Sequence, residues 1–308
     1  MKSCVRLVPA MLVAISLAGC ASSSRTASNS SIEQLTFATP QDAVAALANY
    51  AESGDKAYGR AIFGPEVSEL SSGDAAVDRY ERQLFVQAIL RKHELRVIDE
   101  DEQEILIGIN SVAFPVPLAN VNGRWMFDTP AGLDRLVDMR VGNHELRTIE
   151  ALRAIAVAQQ EYRSVDRDND GVLEFAPRIL SAAGQRNGLF WETAANEPNS
   201  PLGAFYTQGE VPNSGTLGYN GYFFKVLTAQ GGNAGGGAKS FADSANNLTG
   251  GFAILAYPAI YGETAIMTFQ MGPDGVVYQR DLGADATATA GTTINRFNPD
   301  QAWAVTND

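Results

Sequence analysis

The segment most suggestive of chemistry is a short acidic loop, residues 166–174, with the sequence DRDNDGVLE. Asp occupies loop positions 1, 3 and 5, and Gly occupies position 6, as in the first half of an EF-hand calcium loop. This spacing lets alternate carboxylates converge on one point, while glycine permits the sharp turn. The loop predicts a structural calcium site, and its ligands would come from Asp166, Asp168, Asp170, the Val172 carbonyl and Glu174.

The end of this loop departs from the calcium-binding pattern. Position 12, where an EF-hand loop has a bidentate Glu, is Pro177 here. A second interpretation therefore stays open, in which the acids form an Asx-rich turn and accept hydrogen bonds from their own backbone. Apart from calcium, the sequence predicts no cofactor.

A second residue with defined chemistry, Cys20, ends a targeting segment. A positive start at Lys2 and Arg6 precedes a short apolar run, too short to span a membrane as a helix. The run ends in Leu-Ala-Gly-Cys, which resembles the lipobox of bacterial lipoproteins. We therefore predict that residues 1–19 are a cleaved signal peptide and that Cys20 carries the lipid. The alternative is an ordinary secretory signal with a chance Cys.

The sequence after the lipidation site predicts a tether and a location. Residues 20–36 are rich in Ser, Ala and Asn and contain little apolar bulk, which is typical of a flexible segment. Acyl chains on Cys20 would anchor the chain stably to a membrane. Because Ala21 rather than Asp follows, we expect the outer membrane of the cell envelope, with the protein facing the periplasm.

The net charge and the small number of Cys and His exclude several classes of function. The chain of 308 residues has 23 Lys and Arg against 35 Asp and Glu, a net charge of −12. Such an acidic chain lacks the electrostatic footprint of a nucleic-acid binder. Of the two Cys, neither lies after residue 20, so the body of the chain has no Cys/His zinc set and no thiol nucleophile. The two histidines, His93 and His144, are expected at a helix end and at the surface of a first helical turn.

The elements predict an α+β protein of two domains. In residues 37–140, helices come first, with Thr39 as a helix cap, and strands follow with a two-residue hairpin at Asn122-Gly123. This order resembles the nuclear-transport-factor-2-like superfold, a cone of curved antiparallel sheet around a helix. The resemblance implies an interior that either holds a small ligand or is filled by side chains.

The second predicted domain covers residues 141–308. Asn143 is a candidate cap for a long helix that ends near Arg163, just before the acidic loop. Residues 178–188 favour a short helix and a loop. An antiparallel meander follows, with strands expected at residues 222–228, 251–257, 265–271 and 276–279. A long helix packed on such a meander resembles the globular domain of type IV pilins and pseudopilins.

Motifs along almost the whole mature chain resemble one family, the domain-of-unknown-function family 2950 of bacterial envelope proteins. The resemblance implies a secreted two-part protein and brings no activity or catalytic residues. It rests on motifs that include Thr39-Pro40, Phe114-Pro115-Val116-Pro117-Leu118, Trp125-x-Phe127-Asp128-Thr129, Asp166-x-Asp168-x-Asp170-Gly171, Ser200-Pro201-Leu202-Gly203 and Leu227-Thr228-Ala229-Gln230-Gly231.

Two functional hypotheses follow. The first is a non-catalytic envelope lipoprotein, a binding or scaffolding module for an envelope partner. Its candidate contact segments are residues 189–191, 219–224 and 257–261. The second is a small-molecule binder or enzyme that uses a pocket in the N-terminal cone, with Tyr80, His93 or Asp128 in the pocket. A filled cone favours the first hypothesis.

Overall fold

The computed structural model describes residues 34–70, 75–194, 196–205 and 218–306, which form a mixed α+β protein with antiparallel sheets. The chain divides into two compact units, unit 1 (residues 1–138) and unit 2 (residues 139–308). Each unit has a hydrophobic core of its own. That the two units are independent folding domains stays a prediction. Among the described residues, no helix combines the length and the apolar character that crossing a membrane requires.

Unit 1 begins with helices, as predicted. The Thr39 hydroxyl accepts a hydrogen bond from the Asp42 backbone N–H at 3.2 Å, and the Asp42 carboxylate accepts one from the Thr39 N–H at 3.2 Å. This reciprocal capping box starts the first helix, and Gly54 ends it with φ 62°. The helices are α1 (Pro40–Ser53), α2 (Lys56–Phe63), a 3₁₀ helix (Pro65–Leu70) and α3 (Ala75–Arg91).

The sheet of unit 1 is antiparallel throughout. Its strand order is β1-β2-β4-β5, with β3 paired to β2. Asn122 and Gly123 have φ 54° and 79°, so the predicted two-residue hairpin between the last two strands is confirmed. The strands are β1 (His93–Val97), β2 (Glu102–Ile107), β3 (Val112–Ala113), β4 (Leu118–Val121) and β5 (Arg124–Phe127).

Aromatic side chains fill the interior of unit 1. The rings of Phe63 and Phe127 are almost fully buried, and their centroids lie 4.9 Å apart. Phe114 lies 6.3 Å and 6.4 Å from the same two rings. The space between the helices and the sheet is therefore packed core at this level. The likeness to the nuclear-transport-factor-2-like fold stays a prediction.

The last three residues of the predicted tether, residues 34–36, form hydrogen bonds with unit 1. Gln34 Nε2 donates to the carbonyls of Ile62 at 2.8 Å and Phe127 at 2.7 Å. The Leu35 N–H donates to the Ala61 carbonyl, and the Arg124 guanidinium to the Thr36 carbonyl, both at 2.7 Å. Residues 34–36 are thus attached to unit 1.

The long helix α4 (Thr129–Arg163) corrects a prediction. We expected it to begin at Asn143, which instead lies in its interior. The helix starts earlier because Asp128 Oδ1 accepts a hydrogen bond from the Ala131 N–H at 3.0 Å, and because Pro130 fits the first turn. The pair Gly142 and Asn143 weakens a helix locally but does not end it when both flanks are helical.

Unit 2 contains a five-stranded antiparallel sheet of order β12-β11-β10-β9-β6 and a two-stranded pair. The second half of α4 shares one core with this sheet, through Leu152 and Ile155. The predicted long helix against an antiparallel meander is therefore present in unit 2. The strands are β6 (Tyr222–Leu227), β7 (Ala229–Gln230), β8 (Lys239–Ser240), β9 (Ala253–Pro258), β10 (Met267–Met271), β11 (Val277–Asp281) and β12 (Ala304–Val305).

Two segments of unit 2 differ from expectation. The short helix predicted in residues 178–188 is absent, since this segment forms turns and a single parallel bridge between Leu180 and Phe190. In addition, an unpredicted helix, α5 (Ala284–Thr293), follows β11. The likeness to pilin domains stays a prediction.

Candidate functional site

The acidic loop lies directly after α4. Asp166, Asp168 and Asp170 each offer a carboxylate oxygen, and these oxygens lie within 4.8 Å of one another. Calcium binds oxygen ligands at about 2.3–2.6 Å, so ligands on opposite sides of the ion are about 5 Å apart. Separations in this range are compatible with one ion between the three carboxylates, and the structure brings together three of the predicted ligands.

The loop conformation is held by its own carboxylates. Asp166 accepts hydrogen bonds from the N–H groups of Asn169 at 2.8 Å and Gly171 at 3.0 Å. These backbone hydrogen bonds, with that from Gly171 first, lower the pKa of Asp166. Asn169 and Gly171 adopt φ 62° and 87°, the left-handed region that such a turn requires. Asp170 Oδ1 accepts from the Val172 N–H at 2.8 Å.

These bonds are the Asx turns of the alternative interpretation. They leave calcium binding open, because a carboxylate oxygen that accepts one N–H keeps a second lone pair. The loop geometry is therefore consistent with both interpretations.

A second loop, residues 243–247, contributes to the same site and was missed by the sequence analysis. Asn247 Nδ2 donates to Asp170 Oδ2 at 2.8 Å. Asp243 Oδ1 accepts from the N–H groups of Ala245 and Asn247, both at 2.9 Å, and so holds this loop. No spacing signal could have found the contact, because the two loops are far apart in sequence.

Glu174 lies outside the group of three converging carboxylates. The backbone N–H of Leu248 acts on this carboxylate and favours its charged form. Partial burial raises the pKa of Glu174, and the negative charges of Asp168, Asp170 and Asp243 raise it further. In the described part of the chain, no ion pair joins a lysine or arginine to any of these acids. The site therefore concentrates negative charge, which favours a cation.

The two histidines both bond to backbone carbonyls. The Nδ1 atom of His93 lies 2.9 Å from the Ile89 carbonyl in the last turn of α3, so the predicted role at a helix end is confirmed. His144 was predicted at the surface of a first helical turn, and this is wrong. It lies inside α4, half-buried, with Nδ1 2.8 Å from the Thr264 carbonyl, because α4 begins well before it.

The other residues proposed for a pocket in unit 1 have positions that a structural role or surface exposure explains. Asp128 caps α4, as described above. Tyr80 is 62% exposed on α3. An acidic run at residues 99–104, whose sequence would suit either a cation site or a solvated turn, is partly neutralised, because Glu102 pairs with Arg135 at 2.5 Å and Glu104 with Arg96 at 2.8 Å.

A cleft of about 610 Å³ lies against residues 180–192 in unit 2. Its walls include the half-buried rings of Phe190 and Trp191, from the first predicted contact segment. The guanidinium carbons of Arg167 and Arg186 lie 5.2 Å and 5.8 Å from the Trp191 ring centroid, at cation–π distance. Several of the other predicted contact residues pack in the core, among them Leu189, Tyr222 and Phe224.

The lipidation site cannot be placed in this geometry, because Cys20 lies outside the described residues. The fold and the site together define an α+β protein with an acidic loop and a neighbouring arginine-lined cleft in unit 2. The chain belongs to the family described as "protein of unknown function (DUF2950)", whose model matches residues 34–306. This confirms the resemblance drawn from the motifs. No curated protein and no solved structure is significantly similar to the chain.

Proposed function

We propose that the protein is a non-catalytic envelope lipoprotein that binds or positions another envelope component. The observation that carries the proposal is the cleft beside residues 180–192. There the Trp191 ring centroid lies 5.2 Å and 5.8 Å from two guanidinium carbons and beside Phe190, an arrangement rich in the residue types that dominate binding energy at interfaces. The lipobox at Cys20 would hold this cleft at a membrane surface, where tethering raises the effective concentration toward partners on that membrane.

Two further observations favour binding over catalysis. His93 and His144 each direct Nδ1 to a backbone carbonyl, which gives both rings a structural role. The interior of unit 1 is packed with the rings of Phe63, Phe114 and Phe127, where the alternative hypothesis requires a pocket. General acid–base catalysis needs a poised group within reach of a substrate. These arrangements therefore support the binding hypothesis over the small-molecule or enzymatic alternative.

We also infer that the acidic loop binds calcium in a structural role. The three converging carboxylates fit an ion of this size, and hard oxygen ligands are those that calcium prefers. A bound ion would neutralise the charge that Asp168, Asp170, Glu174 and Asp243 now concentrate. It would thereby stabilise the contact between the acidic loop and residues 243–247.

The binding proposal is tested by site-specific photo-crosslinking in living cells. A photoreactive amino acid replaces Glu192, an exposed residue of the cleft wall, and in a matched control it replaces Glu150, an exposed residue of α4. We expect a discrete crosslinked partner only from position 192, and its loss when Trp191→Ala is added. Equal crosslinking from both positions would contradict the proposal, as would robust substrate turnover by the purified protein that one substitution abolishes.

The anchor is tested separately. We expect Cys20→Ser to remove the lipid and to release the protein from the membrane fraction, because the acyl chains supply the attachment. Mass spectrometry of the N-terminal peptide checks the modification directly. An unlipidated peptide and unchanged fractionation would show that the segment is not a lipoprotein signal.

A further inference from the structure

The outer edge of β1 in unit 1 is open. This strand ends the order β1-β2-β4-β5, and among the described residues only β2 pairs with it. At the opposite end of the sheet, β5 is covered, because Phe37 and Trp125 exchange backbone hydrogen bonds of 2.7 Å and 2.9 Å. An open strand edge offers unpaired N–H and C=O groups to another strand.

The hydrogen-bond pattern shows which residues face outward. The Ile98 N–H donates to the Glu102 carbonyl at 3.0 Å, and the Gly108 N–H donates to the Lys92 carbonyl at 2.8 Å. Bonded and non-bonded pairs alternate in an antiparallel ladder, so Glu94 and Arg96 bond to β2. The backbone groups of the alternate residues point away from β2, and these residues are His93, Leu95 and Val97.

The side chains of β1 are unusually exposed for a strand. Val97 is 65% exposed, and the side chains of Arg96 and Glu94 are 55% and 52% exposed. The terminal strand β6 in unit 2 differs, since most of its side chains are buried. Thus β1 is accessible both along its backbone edge and at its side chains.

The sequence of β1, HELRV, is complementary in charge to its own antiparallel copy. We consider two β1 strands placed edge to edge and related by a two-fold axis that passes beside Leu95. The outward N–H and C=O groups of Leu95 in one copy then lie opposite those of Leu95 in the other. His93 then meets Val97, which also faces outward, so every outward residue finds an outward partner. In the same register Glu94 lies opposite Arg96 in non-hydrogen-bonded pairs, where cross-strand side chains are closest.

We propose that two copies of this chain associate through their β1 strands, in antiparallel register centred on Leu95, to form one continuous sheet across the dimer. The backbone bonds supply the attachment, and the two Glu94–Arg96 pairs select this register over a shifted one. A register shifted by two residues would lose both of these charge pairs.

Charge exchange on the full chain tests this register. The self-dissociation constant is measured by sedimentation velocity in density-matched detergent, across a wide concentration range. Glu94→Arg places like charges opposite one another twice in the dimer, and we expect it to weaken association about tenfold. Arg96→Glu is expected to do the same, but it also removes the ion pair between Arg96 and Glu104 within the chain. The double exchange Glu94→Arg with Arg96→Glu lacks that ion pair too, so its comparison with Arg96→Glu alone isolates the contact between the two copies, and we expect it to restore association.

A backbone substitution tests the edge itself. Leu95→Pro removes an outward N–H, and proline is tolerated at a sheet edge, so we expect a folded monomer. Leu95→Ala keeps the N–H and is expected to remain dimeric, with circular dichroism confirming the fold of both variants. The proposal is overturned if the native chain is monomeric throughout, as it would be if the edge served another protein's strand. It is equally overturned by a dimer that neither Leu95→Pro nor the charge exchanges affect.

Discussion

Replacement of Glu174 by glutamine distinguishes two influences on the stability of unit 2, the negative charge of Glu174 itself and a cation bound in the acidic loop. Gln has nearly the same shape and keeps an oxygen that can accept a hydrogen bond, so it removes only the negative charge. In a calcium-free buffer at neutral pH, we expect Glu174→Gln to be more stable than the native chain. The reason is that burial, together with Asp168, Asp170 and Asp243, disfavours the charged carboxylate in the folded state.

The size of this effect follows from screened repulsion. A partly exposed charge pair contributes about 0.2–1 kcal/mol, so removal of Glu174 from three negative neighbours is expected to stabilise unit 2 by about 1 kcal/mol. For a unit of this size, that raises the melting temperature by about 2–4 °C. With calcium at about 10 to 100 times its dissociation constant, mass action stabilises the native chain by roughly 1.4–2.7 kcal/mol. If Glu174 is a ligand, the glutamine variant shows a smaller calcium effect.

The pH dependence of stability tests independently whether the charge of Glu174 destabilises the folded state. The folded-state pKa of Glu174 is raised, so protonation favours the folded state. Its favourable contribution is complete below the unfolded-state pKa and is lost as the pH rises through the folded-state pKa. The stability gap between native chain and variant should therefore close as the pH falls from about 7 to about 4.

Differential scanning calorimetry measures both effects, first in a chelator and then in millimolar calcium. Glu150→Gln, an exposed change on α4, is the matched control. It should alter neither the melting temperature in the chelator nor the rise that calcium causes. A glutamine variant that melts below the native chain in the chelator at neutral pH would refute the electrostatic reasoning. A calcium effect of the same size in both chains would remove Glu174 from the ligand set while leaving the three aspartates as candidates.

Three further predictions concern single residues. Asp168→Asn should abolish most of the calcium-dependent rise in melting temperature, and an undiminished rise would exclude Asp168 as a ligand. Gly221→Ala should lower the free energy of unfolding, measured in urea, by about 1–3 kcal/mol, because the residue has φ 74° and its new Cβ would lie 2.7 Å from the Cβ of Thr264. The control Gly232→Ala, with open space around the new Cβ, should leave this free energy nearly unchanged. Phe127→Ala should cost about 3–5 kcal/mol in the same assay, and a loss below 1 kcal/mol would mean that the interior of unit 1 is not tightly packed there.

The longer strands of unit 2 could be predicted because their signals are local. The turn before β11 shows this: Gly275 adopts φ 77°, and Asp274 Oδ1 accepts the Val276 N–H at 3.1 Å. Turn residues of this kind, between segments of apolar residues, fix both ends of a hairpin. The strands β6, β9, β10 and β11 accordingly lie close to their predicted positions.

Helix α5 could not be predicted in this way. Its sequence, ADATATAGTT, has no large apolar residue and is rich in Thr, which is a modest helix former. Tertiary contacts stabilise its end instead. The Lys225 ammonium group, on β6, donates to the carbonyls of Gly291 at 2.8 Å and Ile294 at 3.1 Å. These are carbonyls that a helix C-terminus leaves unsatisfied, and the cation also complements the helix dipole.

Only the local part of the candidate site could be predicted from the sequence. Asp166, Asp168 and Asp170 follow one another at a spacing that a single turn converts into proximity. Asp243 and Asn247 reach this turn only because the chain returns to it, through the bridge between Phe175 and Leu248. Their placement depends on tertiary packing, which no local pattern records.

Arg167 explains why the acidic loop and the cleft belong to one structural system. It follows Asp166 in the loop, yet its guanidinium does not pair with the aspartates. Instead Nε donates to the Tyr162 carbonyl at 3.3 Å, and the group lies 4.8 Å from the Tyr162 ring centroid and 5.2 Å from that of Trp191. The loop thus separates its charges, with the carboxylates converging on one another and the cation of Arg167 beside Trp191, a residue of the cleft wall. We propose that an ion held by the aspartates would fix the backbone on both sides of Arg167, and that the cost of ordering the surroundings of Trp191 would then be met before any partner binds there.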